Sequence, residues 1–176
     1  MKQKTRKLVW GSFWLALGII LPQIFHLIGG PGLGRVFLPM HLPVFFAGLT
    51  IGPALGTMVG VLSPVLSHLL TGMPPMSPPI AVLMVFELSA YGLFSGMLYV
   101  KLKKGLITTL IISMVMGRLV LGAAVTFIAP LFGFSPSPLV YLKGAVMSGI
   151  PGIILQLLLI PAILNRSKLV QKIKML

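Results

Sequence analysis

Long apolar runs separated by short clusters of glycine, proline and basic residues set the pattern of this chain. A membrane-crossing helix needs about 20 largely apolar residues, because hydrocarbon cannot satisfy backbone polar groups and a helix satisfies its own. Runs of this kind lie at 8–28, 80–100, 106–129 and 139–164. Between the first two, an apolar block from Phe37 to Thr71 is too long for one span and is broken at Gly52-Pro53. It divides into segments at 40–51 and 53–70, with Pro53 suited to the first turn of the second. The pattern predicts an all-α integral membrane protein, a single domain over 1–176 with six transmembrane helices. The clusters at 29–35, 72–79 and 130–138 read as connections. The first run is longer than the core of a cleaved signal and ends without an A-x-A site, so it is expected to be retained.

Composition agrees with the pattern. The 176 residues are 57% hydrophobic and 9% charged, where a soluble domain carries about 25% charged residues. There is no cysteine, no Asp and one Glu, Glu87. Thiolate metal sites, cysteine nucleophiles and paired-carboxylate hydrolysis therefore lack their residues. Three histidines without a second carboxylate make a poor metal site, and no metal is expected.

The net charge of +13 is mostly a statement about topology. Four basic residues precede the first span (Lys2, Lys4, Arg6, Lys7), three lie in the 101–104 connection, and four follow the last span (Arg166, Lys168, Lys172, Lys174). An even number of spans puts all three clusters on one side, which the positive-inside rule makes cytoplasmic. Both termini are then cytoplasmic, and nucleic acid is not the expected partner.

Topology leaves Arg35, Arg118 and Lys143 unexplained, together with Glu87. An ionisable group in a membrane helix costs at least about 2.5–3.5 kcal/mol at the bilayer centre, so it normally faces a partner or a wet cavity. Depth counting brings all four to the outer half of the bundle, with Glu87 and Arg118 within side-chain reach on neighbouring helices. One reading makes Glu87–Arg118 a structural ion pair. It leaves Arg35 and Lys143 without a carboxylate, and an anionic ligand would supply one; alternatively Lys143 snorkels and Arg35 is solvated. His41 sits between prolines at the same level, and Tyr91 shares a helical face with Glu87 four residues earlier. Glycines at 48, 52, 56 and 60, and at 92 and 96, suit close helix packing within the monomer. Ser12-x-x-x-Ala16 is a similar small-residue pair that could face another subunit. No G-x-x-x-x-G-K-[ST] loop is present, so ATP is not expected to bind in that manner.

Several blocks together resemble a known family. Leu38-Pro39-Met40-His41-Leu42-Pro43-Val44, Gly52-Pro53-x-x-Gly56-x-x-x-Gly60, Leu70-Thr71-Gly72-Met73-Pro74-Pro75 and Phe86-Glu87-Leu88-x-x-Tyr91-Gly92 are similar, in order and spacing, to the substrate-binding S-components of energy-coupling factor (ECF) vitamin transporters. The Met-His-x-Pro and Phe-Glu-Leu-x-x-Tyr-Gly blocks look most like the pantothenate-type branch. The resemblance implies a multi-pass protein of a prokaryotic cell membrane that captures a water-soluble vitamin from outside. Its implied partners are a membrane coupling subunit and two cytoplasmic ATPases, which use ATP while this chain carries no cofactor. It also implies a pocket capped by the connections at 29–38 and 71–79. The family's A-x-x-x-A docking motif falls at Ser12 and Ala16, with Ser12 a departure. The expected substrate contacts are Arg35, Arg118 or Lys143 for the anion, and Glu87, Tyr91 and His41 for hydroxyl or amide groups. Folate and pyridoxine-like compounds are the alternative substrates. Rival classes are a membrane enzyme using Glu87 and His41, a structural subunit and a self-sufficient carrier.

Overall fold

The computed structural model describes residues 3–166, so Lys2, Lys168, Lys172 and Lys174 lie outside the described residues. The described chain is helical, with α1 at Gln3–Phe37, α2 at His41–Ile51, α3 at Pro53–Thr71, α4 at Ile80–Gly96, α5 at Leu106–Phe127 and α6 at Pro138–Arg166. A π-turn, Met97–Lys101, extends α4, and a 3-10 turn, Ala129–Phe132, follows α5. Among the described residues, six helical stretches are long and apolar enough to cross a membrane.

The stretches differ from the expected ones mainly at the second span. Residues 29–35 are not an extended connection. The helix breaks only at Gly29 and Gly30, where Gly30 takes a left-handed φ of 70°, and then resumes to Phe37. One left-handed glycine redirects the chain without the steric cost a side chain would meet. The resumed helix and α2 together form a 20-residue apolar stretch, Gly32–Ile51. The short second segment thus reaches membrane-crossing length by recruiting residues assigned to a loop.

Helix α2 is buried along its entire length. It is apolar on every side, as a helix surrounded by others must be. Close approach to α3 and α4 rests on the spaced glycines. A Cβ added to Gly56 would stand 2.6 Å from the Gly48 Cα and 2.8 Å from the Gly92 carbonyl oxygen. A Cβ at Gly96 would likewise meet the Pro53 and Gly52 backbone. The intramolecular use expected of these glycines is the observed one, since small residues let backbones touch where lipid offers no hydrophobic drive. Trp14 ties α1 to α2 by stacking on Phe46 at 5.0 Å and donating its indole N–H to Thr50 Oγ1 at 3.2 Å.

On α1 and α6 long apolar side chains are exposed away from the cavity, Leu8, Leu27 and Leu158 among them. Facing hydrocarbon, they need no protein cover.

Candidate functional site

A cavity of about 620 Å³ opens at the end of the bundle that carries the 72–79 connection. The end of α1, the 38–41 turn, α3, α4, α5 and α6 all contribute to its wall. Most of the lining is apolar: Leu38, Met40, Met73, Pro74, Leu83, Met84, Leu121 and Phe134. Its polar groups are few, the arrangement found in small-molecule sites.

Glu87 is the centre of the polar group. It is 4% exposed on the inner face of α4. Its Oε1 accepts from Arg118 Nη1 at 2.7 Å and from the Tyr91 hydroxyl at 2.8 Å. A buried carboxylate is tolerable only when paired and hydrogen-bonded, and this one is both. Depth counting anticipated the Glu87–Arg118 contact. Tyr91 does not line the cavity; it stands one helical turn behind Glu87 and fixes its orientation. Its ring lies where a side chain at 117 would be: a Cβ on Gly117 would overlap the Tyr91 ring carbons. Gly117 therefore lets α4 and α5 approach with the phenol between them, and Arg118 follows it directly in sequence.

His41 reaches the cavity through an unusual turn. Leu38 has a positive φ of 51°, and the His41 N–H donates to the Leu38 carbonyl at 3.1 Å. A non-glycine residue in the left-handed region costs of order 1 kcal/mol, and such strain concentrates at functional sites. The turn places the imidazole at the first position of α2, 3% exposed and lining the cavity. Nε2 is 3.8 Å from Glu87 Oε1, too far for a hydrogen bond, and neither ring nitrogen has a hydrogen-bond partner among the described residues.

The remaining expected residues divide. Arg35, exposed on the last turn of α1, lines the cavity and has no carboxylate partner among the described residues. Lys143 does not join it. Although Tyr141, Gly144 and Ala145 of the same helix line the cavity, Lys143 is exposed and absent from the wall. Of the three cations offered as anion anchors, Lys143 is thus the one that falls on α6 between the wall positions Tyr141 and Gly144. Ser12 and Ala16 are both exposed on α1, with the Ser12 hydroxyl donating to the Leu8 carbonyl at 3.1 Å.

Sequence reasoning missed other members. Tyr141 lines the cavity within electrostatic reach of Glu87, Arg35 and Arg118. No signal in the sequence singles it out, since depth along α6 does not show which way a side chain faces. The 72–79 connection is also fastened by side chains that had no assigned role. Ser67 Oγ donates to the Met73 carbonyl at 2.8 Å, and His68 Nδ1 lies 2.9 Å from the Pro74 carbonyl. Because a carbonyl can only accept, Nδ1 carries the proton there. From α1, Gln23 Nε2 donates to Ser67 Oγ at 3.3 Å and Thr71 Oγ1 at 3.0 Å. Met73, Pro74, Pro75 and Pro78 are thereby held over the cavity.

Among the described residues no group of three His, Cys, Asp or Glu side chains is placed to hold a metal. What the site can do is hold a small molecule between an apolar wall and a cluster of fixed donors and acceptors.

Comparison with known proteins gives one match. Residues 6–164 match the family described as ECF transporter, substrate-specific component. Neither the curated proteins nor the solved structures yield a match. With a membrane-spanning helical fold, a cavity holding a few buried polar groups and a family match over nearly the whole described chain, the protein belongs to the ECF transporter substrate-specific components.

Proposed function

We propose that this chain captures a small anionic vitamin, pantothenate first among the candidates, in its cavity from the outer side of the membrane. A coupling subunit and two ATPases then deliver it inward. The observation that carries the reading is the charge of the cavity. Glu87 is the sole carboxylate side chain in the sequence and it is engaged by Arg118, so Arg35 lacks a counter-charge. A ligand carboxylate supplies that charge, and charge-assisted bonds of this kind are the strong ones. Cavity size agrees, since about 620 Å³ falls in the range of small-molecule pockets.

The proposed contacts are Arg35 and Arg118 toward acid, His41 and Glu87 toward hydroxyl or amide groups, with Tyr91 orienting Glu87. Ser12 and Ala16 are the proposed coupling-subunit contact, supported by their exposure on α1. The basic clusters support an orientation with both termini in the cytoplasm, as the positive-inside rule requires. Equilibrium binding of pantothenate, folate and pyridoxine to the purified chain tests the substrate. Saturable binding of pantothenate in preference to the others is expected; preference for folate or pyridoxine would reassign the substrate.

A further inference from the structure

Arg35 is not carried by the straight part of α1. Beyond the break at Gly29 and Gly30 the chain doubles back, so that residues 32–37 lie against the helix they come from. Gly34 stands against the His26 ring, and the Phe37 ring packs on Phe25 at 5.6 Å between centroids. The same short helix also meets α6 at the buried Gly152. A Cβ built there would stand 2.7 Å from both the carbonyl carbon and the oxygen of Phe37, and 2.8 Å from the Val36 carbonyl oxygen. We propose, resting on the anion-binding role of Arg35 above, that Gly34 and Gly152 are positioning residues for substrate binding. They seat the 32–37 helix between α1 and α6 and so set where the Arg35 guanidinium stands in the cavity wall.

Both contacts are too close for a larger residue. At 152 the neighbours are main-chain atoms, which no rotamer change can move aside, so a methyl group there displaces the 36–37 backbone or α6 itself. At 34 a Cβ would stand 2.7 Å from His26 Nε2 and 3.0 Å from its Cδ2. Displacement is easy to transmit here, because Gly30 joins the short helix to α1 through a left-handed φ of 70°. The 32–37 helix is thus located by what it touches and not by continuity with α1. Arg35 follows Gly34 directly and precedes the Val36–Phe37 contact. A charge-assisted hydrogen bond depends on distance and direction, so a shift of about 1 Å in this helix removes most of its benefit.

The two contacts differ in kind. The obstacle at 34 is a side chain, so His26→Ala opens room for a methyl group there. The obstacle at 152 is backbone and cannot be removed by substitution. Gly32, on the same short helix, has nothing within 4 Å of a built Cβ, so alanine at 32 leaves the seat as it is.

The test is equilibrium binding of pantothenate and its neutral alcohol counterpart, pantothenol, to the purified full-length chain. Wild type is expected to prefer the acid by about tenfold, the effect of one charge-assisted contact, and Arg35→Gln to abolish that preference. Gly152→Ala and Gly34→Ala are each expected to lose most of the preference while still binding pantothenol, and Gly32→Ala to keep it. His26→Ala/Gly34→Ala is expected to show the preference of His26→Ala alone, because the obstacle to the methyl group is gone. A general loosening of the protein would instead weaken both compounds alike in the 34 and 152 variants, and that result overturns the seat. So does a preference kept in both Gly152→Ala and Gly34→Ala, or a double variant that does no better than Gly34→Ala. In each of these cases the binding role of Arg35 stands. If wild type binds neither compound, or the preference survives Arg35→Gln, the role of Arg35 falls and the positioning falls with it. Should Gly152→Ala fail to fold, the Gly34 and His26 variants decide the matter.

Discussion

Glu87 anchors a chain of dependence in which each residue is needed for the position of the next. Arg118 neutralises it, Tyr91 orients it, and Gly117 makes room for Tyr91. Removing one partner of a buried ion pair leaves the other uncompensated and costs about 3–5 kcal/mol. Arg118→Ala is therefore expected to lower thermal stability sharply, and Glu87→Gln/Arg118→Gln to lower it much less, in melting curves recorded without ligand. Equal losses would mean that the contact contributes little. Gly117→Ala should disturb the same chain from the other side, because its Cβ would overlap the rigid Tyr91 ring. We expect vitamin affinity to fall at least tenfold with the helical content unchanged; an unchanged affinity would detach Tyr91 from the site. The contact legible in the sequence was the one between residues whose type is costly in lipid, Glu87 and Arg118. Gly117 and Tyr141 were not legible. Glycine and tyrosine are ordinary in membrane helices, and only helix rotation shows what they face.

At the scale of elements, the connection at 72–79 is held by α1 and α3 together. Gln23 donates to Ser67 and Thr71, and Ser67 in turn donates to the Met73 carbonyl. Each such bond contributes about 0.5–1.5 kcal/mol. Gln23→Ala should thus loosen the cover over the cavity and raise the ligand dissociation rate several-fold, with little effect on association, in stopped-flow binding. Slower association with unchanged dissociation would contradict that role. Helix boundaries were mostly readable from apolar length and from Gly52-Pro53, where Gly52 takes a φ of 101°. The second span was misread because Gly29-Gly30-Pro31-Gly32 has the composition of a loop. Only Gly29 and Gly30 leave the helical conformation, and the apolar stretch Gly32–Ile51 supplies the membrane-crossing length. Local composition cannot separate a two-residue break from a longer loop when both are rich in glycine.

Over the whole molecule, backbone contact among α2, α3 and α4 builds a rigid centre around which α1, α5 and α6 complete the cavity wall. Gly92→Val is expected to force α3 and α4 apart, since even a Cβ at 92 would overlap the Gly56 carbonyl. Loss of folded protein in size-exclusion chromatography is the expected result, and normal yield and stability would show that the helices can separate without penalty. The six-span architecture and its surplus of positive charge followed from composition, because lipid permits few charges and each must be explained. The make-up of the cavity wall did not follow, since Lys143 and Arg35 look alike in sequence and only Arg35 lines the cavity. The central claim is that this cavity holds a small acid the chain itself does not provide. Native mass spectrometry of the purified protein, before and after incubation with pantothenate, tests it most directly. The account predicts a one-to-one complex of vitamin mass that survives mild activation and is lost on Arg35→Gln/Arg118→Gln substitution. A protein that stays ligand-free at saturating vitamin, or an adduct indifferent to both arginines, would contradict it.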